Sequence, residues 1–329
     1  MQCTVGKDSF CDYSTIQQAV DALERHGDHE VDTLFILEGT YEEAVIIRRS
    51  RLHIYGLGRV EITMNRHARQ QNEHGEEIGT FATATVFLGG HDLLLDNLII
   101  SNTAGQGEEI GQAVALYAHC DRSVFRRCTL RAHQDTLFTG PLPPKPKERA
   151  LFGGIELIQQ HAQYRQLYEH CYIEGTIDFI FGGAAAYFDQ CQIHSLRHYN
   201  NHSTYITAAS TPKGQPYGYV FHRCYVTGDQ EIAPVYLGRP WREYAKTVWV
   251  ECSLGEHIHP AGWDNWDDPD NEQTVDYREY HRKNAALWRS SRVSWAVCEV
   301  GEDEDWRKEI VFDGECFWNG EENIRVHCK

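Results

Sequence analysis

The residues best suited to chemistry lie in three short segments. Asp178 stands in the middle of an apolar, strand-like run, where a carboxylate is costly to bury without a partner. Asp135 follows the carboxamide of Gln134, and Arg239 lies two residues before Trp241. A site built from two carboxylates, a guanidinium and a carboxamide could attack a carbonyl group without a serine, because a carboxylate can act as the nucleophile. Each segment alone also fits a simpler interpretation, in which Asp178 faces solvent and Asp135 only forms a turn.

Several familiar catalytic and metal-binding patterns are missing. The sequence contains no G-x-S-x-G, no G-x-x-x-x-G-K-[ST] and no H-E-x-x-H. The pairs His26 with His29 and His257 with His259 could hold a metal in principle, but isolated pairs are more often exposed histidines. The sequence therefore predicts no metal site and no cofactor.

Charge and composition exclude other classes of function. The formal net charge of −17 over 329 residues argues against nucleic-acid binding, and it would repel a densely anionic polymer. No run approaches the ~20 apolar residues of a membrane span, so no membrane contact is expected. The first residues show no export signal, and the eleven cysteines form no CxxC pair, which predicts a cytoplasmic protein. The alternative is a secreted protein whose signal has been removed.

One helix is expected, near the N-terminus. Ser14–Gln17 resembles a capping box, and Gly27 is a plausible stop. Between them, apolar residues recur with helical spacing at Ile16, Ala19, Val20 and Leu23. After this helix, short apolar runs alternate with Gly, Asn and Asp, a pattern typical of a sandwich, barrel, propeller or solenoid.

An internal repeat decides among these all-β architectures. Its pattern is an apolar residue, two polar residues, Cys or Asn, any residue, and an apolar residue. The units are Leu94–Ile99, Phe125–Leu130, Tyr168–Ile173, Phe188–Ile193, Phe221–Val226 and, more loosely, Trp249–Leu254. The same small residue at the same phase predicts a buried ladder that contains Cys128, Cys171, Cys191, Cys224 and Cys252. A five-cysteine metal site is the alternative, but zinc ligands come in close pairs.

This repeat predicts a parallel β-helix that forms one domain over residues 1–329, since each coil buries its faces only by stacking. A proline-rich stretch introduces an excursion over about residues 138–164, between the two aspartates. The region from His259 onward is expected to pack back along the solenoid and cap it, and Arg282–Trp288 is expected to form a short helix. We expect a monomer.

Stacked coils would gather the candidate residues. Strands in neighbouring coils lie ~4.8 Å apart, so residues at matching phase cluster on one outer face. Gln112 begins one strand run, Gln134 and Asp135 end the next coil, Asp178 lies in the following one, and Arg239 lies further along.

Six blocks of the sequence resemble one family in the family's order. Four of them match the signature blocks of the pectin methylesterases, carbohydrate esterases built on a right-handed parallel β-helix. The signature blocks are Gly111–Leu116, Gln134–Leu137, Gly175–Gly182 and Leu237–Trp241, and the earlier blocks are Gly39–Glu43 and Thr80–Thr85. The similarity extends from about Tyr13 to Trp295, nearly the whole chain.

The resemblance implies a role for each polar residue. Asp178 would be the nucleophile that attacks the C6 methyl-ester carbonyl of galacturonate, held by Arg239. Gln112 and Gln134 would donate to the oxyanion, and Asp135 would act as general acid and then general base. The sugar groove would be lined by Thr80, Phe81, Phe181 and Trp241. For Phe81 and Phe181, packing in the core is an equally good interpretation.

Two departures from the family and three rival functions stay open. The excursion is longer than in the plant enzymes, since 43 positions separate Asp135 from Asp178, and it could narrow the groove. The family's usual glycine-rich turn near the C-terminus is replaced by residues 281–288. The rivals are a β-helical glycosidase or lyase, an esterase acting on another sugar ester, and a non-catalytic solenoid that binds carbohydrate. The predicted partner is methyl-esterified pectin or oligogalacturonide, and a cytoplasmic location would favour imported methylated oligogalacturonides.

Overall fold

The protein is described by a computed structural model that covers residues 1–147, 152–281, 290–301 and 306–317. The chain winds into a right-handed parallel β-helix, which confirms the predicted fold class. In the described residues, all the strands that form the sheets pair in parallel, and each coil contributes to as many as three faces. The helix predicted for residues 282–288 lies outside the described residues.

Two of the three faces of the solenoid, called the first face and the second face below, are joined by a sharp turn in most coils. The first face contains β1 (Gln2–Val5), the starts of β2 (Asp32–Tyr41) and β4 (Leu52–Met64), β6 (His91–Asp96), β9 (Asp121–Arg126), β12 (Arg165–Glu169), β15 (Ala185–Asp189), β18 (Tyr219–His222), β21 (Lys246–Val250), β23 (Asp276–His281) and β24 (Val297–Val300). The second face contains the ends of β2 and β4, then β7 (Ile99–Asn102), β10 (Thr129–Arg131), β13 (Tyr172–Gly175), β16 (Gln192–Ser195), β19 (Tyr225–Gly228) and β22 (Ser253–Leu254).

The third face, called the cleft face below, is a separate seven-stranded sheet. It contains β3 (Val45–Ile47), β5 (Val86–Leu88), β8 (Leu116–Ala118), β11 (Leu137–Thr139), β14 (Ile177–Gly182), β17 (Thr204–Ala209) and β20 (Val235–Pro240). The candidate aspartates lie within or just before its strands. Two 3-10 helices, Thr80–Ala82 and Pro269–Gln273, lie in the connections.

Two ladders run through the interior. Each predicted cysteine donates its thiol to a carbonyl oxygen of the preceding coil at 3.3–3.5 Å. Beside them, aromatic rings of successive coils stack with centroids 3.9–4.7 Å apart. The stacked rings belong to Phe125, Tyr168, Phe188, Phe221 and Trp249. The prediction that the repeated cysteines are core residues is therefore confirmed for Cys128, Cys171, Cys191 and Cys224, whereas Cys252 in the last unit is only partly buried against the core.

The alignment of Asn97 with these cysteines is wrong by one position. Strand register pairs Leu95 with Phe125 and Asp96 with Arg126, which places Leu98 opposite Cys128. Asn97 instead occupies the turn position with a φ of 56°, as Arg127 does in the next coil with 48°. Asparagine tolerates this left-handed conformation better than most residues, which explains its presence there.

The predicted helix is α1 (Ile16–His26), and it ends at Gly27 as expected. Ile16, Ala19, Val20 and Leu23 are all buried, as their spacing predicts. The cap differs from the prediction by one residue, because Thr15 rather than Ser14 accepts a hydrogen bond from the amide of Gln18.

A second cap comes from a distant carboxylate. Glu43 accepts hydrogen bonds from the amides of Ile16 and Gln17 at 2.8 and 3.0 Å. A negative charge at a helix N-terminus is favourable because it satisfies free amides and faces the positive end of the dipole. Glu43 therefore joins α1 to the connection that follows β2.

We expect Glu43→Gln to lower the free energy of unfolding by about 1 kcal/mol, since the helix N-terminus loses its charged acceptor. Urea denaturation followed by circular dichroism measures this change. Glu42→Gln is the matched control, because Glu42 is the exposed neighbour and carries the same charge. An equal loss in both variants would contradict a specific capping role.

The region from His259 onward packs along the outside of the solenoid only in part, because its strands β23 and β24 continue the first face as further coils. The short helix α2 (Lys308–Val311) places Val311 and Phe312 against the outer side chains of the first face. Lys308 also donates to Glu169 at 2.9 Å. No helix in the described parts of the chain is long and apolar enough to cross a membrane.

Candidate active site

Strand register brings the candidate residues into successive coils. The amide of Ala113 donates to the carbonyl of Gln134 at 3.0 Å, so the coil that carries Gln112 lies beside the coil that carries Gln134. The amide of Asp135 donates to the carbonyl of Ile177 at 3.1 Å. Asp135 therefore stacks on the segment that carries Asp178.

Both aspartates occupy unusual backbone conformations. Asp135 has a φ of 67° and Asp178 a φ of 49°, and the register of β14 against β17 shifts between Ile177 and Ile180. Positive φ is costly for residues other than glycine and is often found at functional sites. The irregularity at Asp178 lets Phe179 point into the core while the residue Asp178 as a whole stays 6% exposed.

Arg239 holds Asp178 through a two-pronged ion pair. Its Nε donates to Oδ1 at 2.9 Å, and its Nη2 donates to Oδ2 at 2.7 Å. The guanidinium itself lies between two aromatic rings, with Cζ 3.8 Å from the ring centroids of both Tyr205 and Trp266. A planar cation between two rings can hardly rotate, so the orientation of the carboxylate is set as well.

The surroundings of the two carboxyl groups give them different pKa values. The pKa of Asp135 lies well above its usual range, because the group is buried and the charge of Asp178 disfavours a second negative charge. Burial also raises the pKa of Asp178, but the charge and hydrogen bonds of Arg239 oppose that rise. As the pH rises, Asp178 therefore ionises first and Asp135 keeps its proton.

The other predicted site residues differ in how much of their surface is exposed. Gln112 and Gln134 are half-buried just before β8 and β11. Thr80 and Trp241 are half-buried too, whereas Phe81 and Phe181 are only 5% and 4% exposed. These two rings belong to an aromatic cluster on the cleft face, which agrees with the core-packing interpretation of both.

Part of the predicted excursion belongs to the solenoid. Phe138 and Thr139 lie in β11, which pairs with β8 on one side and β14 on the other, so the excursion leaves the coil at Gly140. Lys147 of the excursion reaches the site, with Nζ 4.5 Å from the ring centroid of Trp266. Its pKa is lowered, first by partial burial and then by the charges of Arg242 and Arg239.

Sequence reasoning missed three residues of this site. Tyr205, Trp266 and Lys147 lie far apart in the chain, and none belongs to a block that was assigned a role. A usable signal existed for Trp266 alone, since it forms a Gly-Trp-x-x-Trp pattern with Trp263. Contact with Arg239 could be found only from the fold.

One group of side chains in the described residues has the spacing of metal ligands. It consists of Glu279, His281 and Cys298, all buried. Glu279 already accepts two hydrogen bonds from Arg292, at 2.8 and 3.0 Å, and one from the indole of Trp263. A carboxylate bound to a guanidinium is poorly suited to a cation, so we assign this group to structural stabilisation.

Comparison with known proteins points to one family. The Pectinesterase family model matches residues 2–163 and 155–314. Pectinesterase 2 of Citrus sinensis is 32% identical over 299 residues, which is 88% of this chain and 52% of that protein. Pectinesterase 1 of Solanum lycopersicum is 32% identical over 298 residues, 88% of this chain and 50% of that protein. The chain thus spans about half the length of these curated relatives.

Solved structures agree with this match. The pectin methylesterase from carrot superposes with a TM-score of 0.77 and 30% identity, and the match covers 95% of this chain and 93% of that one. The pectin methylesterase from Aspergillus niger gives a TM-score of 0.74 and 27% identity, with 96% and 94% of the two chains covered.

Proposed function

Because the chain belongs to the Pectinesterase family, we propose that it hydrolyses C6 methyl esters of galacturonate in pectin or methylated oligogalacturonides and releases methanol. The observation that carries the proposal is the fixed ion pair between Arg239 and Asp178, beside the buried Asp135, whose pKa is raised well above its usual range by burial and by the charge of Asp178. An ionised carboxylate held in one orientation is a competent nucleophile, and a neutral one beside it is a competent acid.

In the first half of the reaction, an Oδ of Asp178 bonds to the ester carbonyl carbon. The carbonyl electrons move to oxygen, and the amides of Gln112 and Gln134 stabilise that oxyanion. One oxyanion donor is worth roughly 3–4 kcal/mol in other enzymes. When the carbonyl re-forms, the bond to the methoxy oxygen breaks, and Asp135 gives that oxygen its proton. Methanol leaves, and an acyl group stays on Asp178.

In the second half, Asp135 is ionised and acts as a base. It takes a proton from water, whose oxygen attacks the galacturonyl carbon of the acyl-enzyme. The bond to Asp178 then breaks and the free acid leaves. Asp178 is again a carboxylate and Asp135 is again protonated, so side chains and water complete the cycle.

The two carboxyl groups should give a bell-shaped pH profile. Activity falls at low pH as Asp178 takes up a proton, and it falls at high pH as Asp135 loses its own. Because the pKa of Asp135 is raised, the alkaline limb should lie well above the ordinary range of aspartate. Initial rates of methanol release across pH measure both limbs. Activity that stays constant through the alkaline range would contradict the acid role of Asp135.

The products formed test the proposed function itself. We expect methanol from methyl-esterified polygalacturonate or its oligomers, with no new reducing ends. New reducing ends without methanol would indicate a glycosidase or lyase, and acetate from an acetylated substrate would indicate an esterase for another ester. Binding of oligomers without release of any product would indicate a non-catalytic carbohydrate-binding protein.

We also predict a monomer that needs no metal or cofactor. The cytoplasmic location predicted from the sequence is not supported by the plant relatives. All ten cysteines in the described residues are free, which is compatible with a reducing compartment. The alternative is a secreted protein, and fractionation of cells of the source organism distinguishes the two locations.

A further inference from the structure

One row of outward-facing side chains on the cleft face leads directly into the site. Its members occupy matching positions in successive parallel strands. In order along the solenoid they are Phe87, Tyr117, Phe138, Phe181, Ala208 and Arg239. A sugar chain extending from Asp178 toward the N-terminal coils would have to lie on the aromatic half of this row.

The excursion that leaves the coil at Gly140 already covers the aromatic half of this row. Phe152 contacts Phe81 edge-on with ring centroids 5.4 Å apart, and its ring lies 6.3 Å from that of Trp241. Leu142, Ile155 and Leu157 of the excursion pack on the same cluster. The rings beneath, Phe81 and Phe181, are left with almost no exposed surface.

Close contacts on its returning arm anchor the excursion. Gly154 has a φ of 85° and lies so close to Phe81 that a Cβ at this position would come within 2.4 Å of the Phe81 carbonyl carbon. Nε2 of His161 lies 3.0 Å from the carbonyl oxygen of Gly89, and Nε2 of His119 lies 3.2 Å from that of Gln159. A segment fixed in this way is a wall built into the fold.

We infer that this wall closes the groove beside Asp178 on the side of the N-terminal coils. The inference rests on the proposed function and narrows its substrate class to methylated oligogalacturonides and chain ends, attacked at or near a terminal residue. The remaining sugars extend past Arg239 toward the coil that carries Trp266. There the ammonium of Lys147 lies 4.5 Å from the centroid of the Trp266 ring, where it suits the carboxylate of a galacturonate that has already lost its methyl group.

Comparison of short and long substrates tests the wall. The quantity is kcat/KM per methyl ester, measured by methanol release, for a fully methylated trigalacturonide and a highly methylated polymer. We expect the wild-type protein to favour the trimer by about tenfold or more, because interior residues cannot pass Phe152. Phe152→Ala should reduce this preference about tenfold. Ile158→Ala is the control from the same excursion, since Ile158 is 67% exposed.

A methylated hexamer gives an independent readout that needs no variant. Mass spectrometry of partly converted hexamer should locate the lost methyl groups at one end. Three results would each contradict the inferred wall. They are loss of methyl groups at random positions of the hexamer, a wild-type ratio of trimer to polymer kcat/KM near one, and a folded Phe152→Ala with the same ratio as Ile158→Ala. If no substrate releases methanol, the proposed function itself fails. If Phe152→Ala does not fold, the wild-type ratio and the hexamer pattern decide.

Discussion

Asp178→Asn should reduce methanol release by about 10⁴-fold or more, the scale of loss seen when the nucleophile of a covalent mechanism is removed. The asparagine amide has the size of the carboxylate but lacks its charge, so it cannot form the acyl-enzyme. Steady-state methanol release with a methylated oligogalacturonide measures the effect.

A matched control separates loss of chemistry from loss of charge. Asp267 is exposed next to Trp266, and Asp267→Asn removes the same charge from the neighbourhood of the site. We expect this variant to stay within about twofold of the wild type, because a surface charge contributes little. A thermal melt should show that Asp178→Asn is folded, although Arg239 has lost its partner. Asp178→Asn with near wild-type activity would refute the assignment of the nucleophile.

Asp135→Asn should reduce activity by about 10²- to 10⁴-fold, the usual contribution of a general acid–base group. The residual activity should keep the acid limb of the pH profile, which belongs to Asp178, and lose the alkaline limb. Both limbs are read from kcat/KM against pH. A variant that keeps the alkaline limb of the wild type would show that another group provides the proton.

Stability provides the control for Asp135→Asn. A carboxyl group whose folded pKa is raised stabilises the fold only while protonated, and that contribution is lost as the pH rises through the raised pKa. Asparagine cannot ionise, so the variant should be at least as stable as the wild type at alkaline pH. Reduced activity in a fold that is more stable identifies a chemical role for Asp135.

Much of the fold follows from local patterns in the sequence. The apolar spacing of Ile16, Ala19, Val20 and Leu23 predicts α1, and the repeated cysteines predict both the solenoid and its interior ladder. Both predictions hold because each depends on contacts that recur with a fixed period. The one-position error at Asn97 arose because Asn suits the turn, whereas Cys suits the core beside it.

The polar residues of the site could be proposed because they lie in compact blocks that keep the family's order. The residues that hold these polar side chains in place and enclose the site could not be predicted from the sequence. Tyr205 and Trp266 contact Arg239 only because three coils meet there, and Phe152 covers Phe81 from an excursion with no regular pattern. Such contacts depend on long-range packing, for which neither periodicity nor turn chemistry gives a signal.

The most direct test of the central claim is a crystal structure of Asp178→Asn with a methylated trigalacturonide. We predict an ester carbonyl carbon about 3 to 3.5 Å from the side-chain oxygen of residue 178, as expected for a reactive arrangement. The amides of Gln112 and Gln134 should face the carbonyl oxygen, and Asp135 should face the methoxy oxygen. A trisaccharide bound elsewhere, or one whose ester groups all lie out of reach of residue 178, would contradict the account.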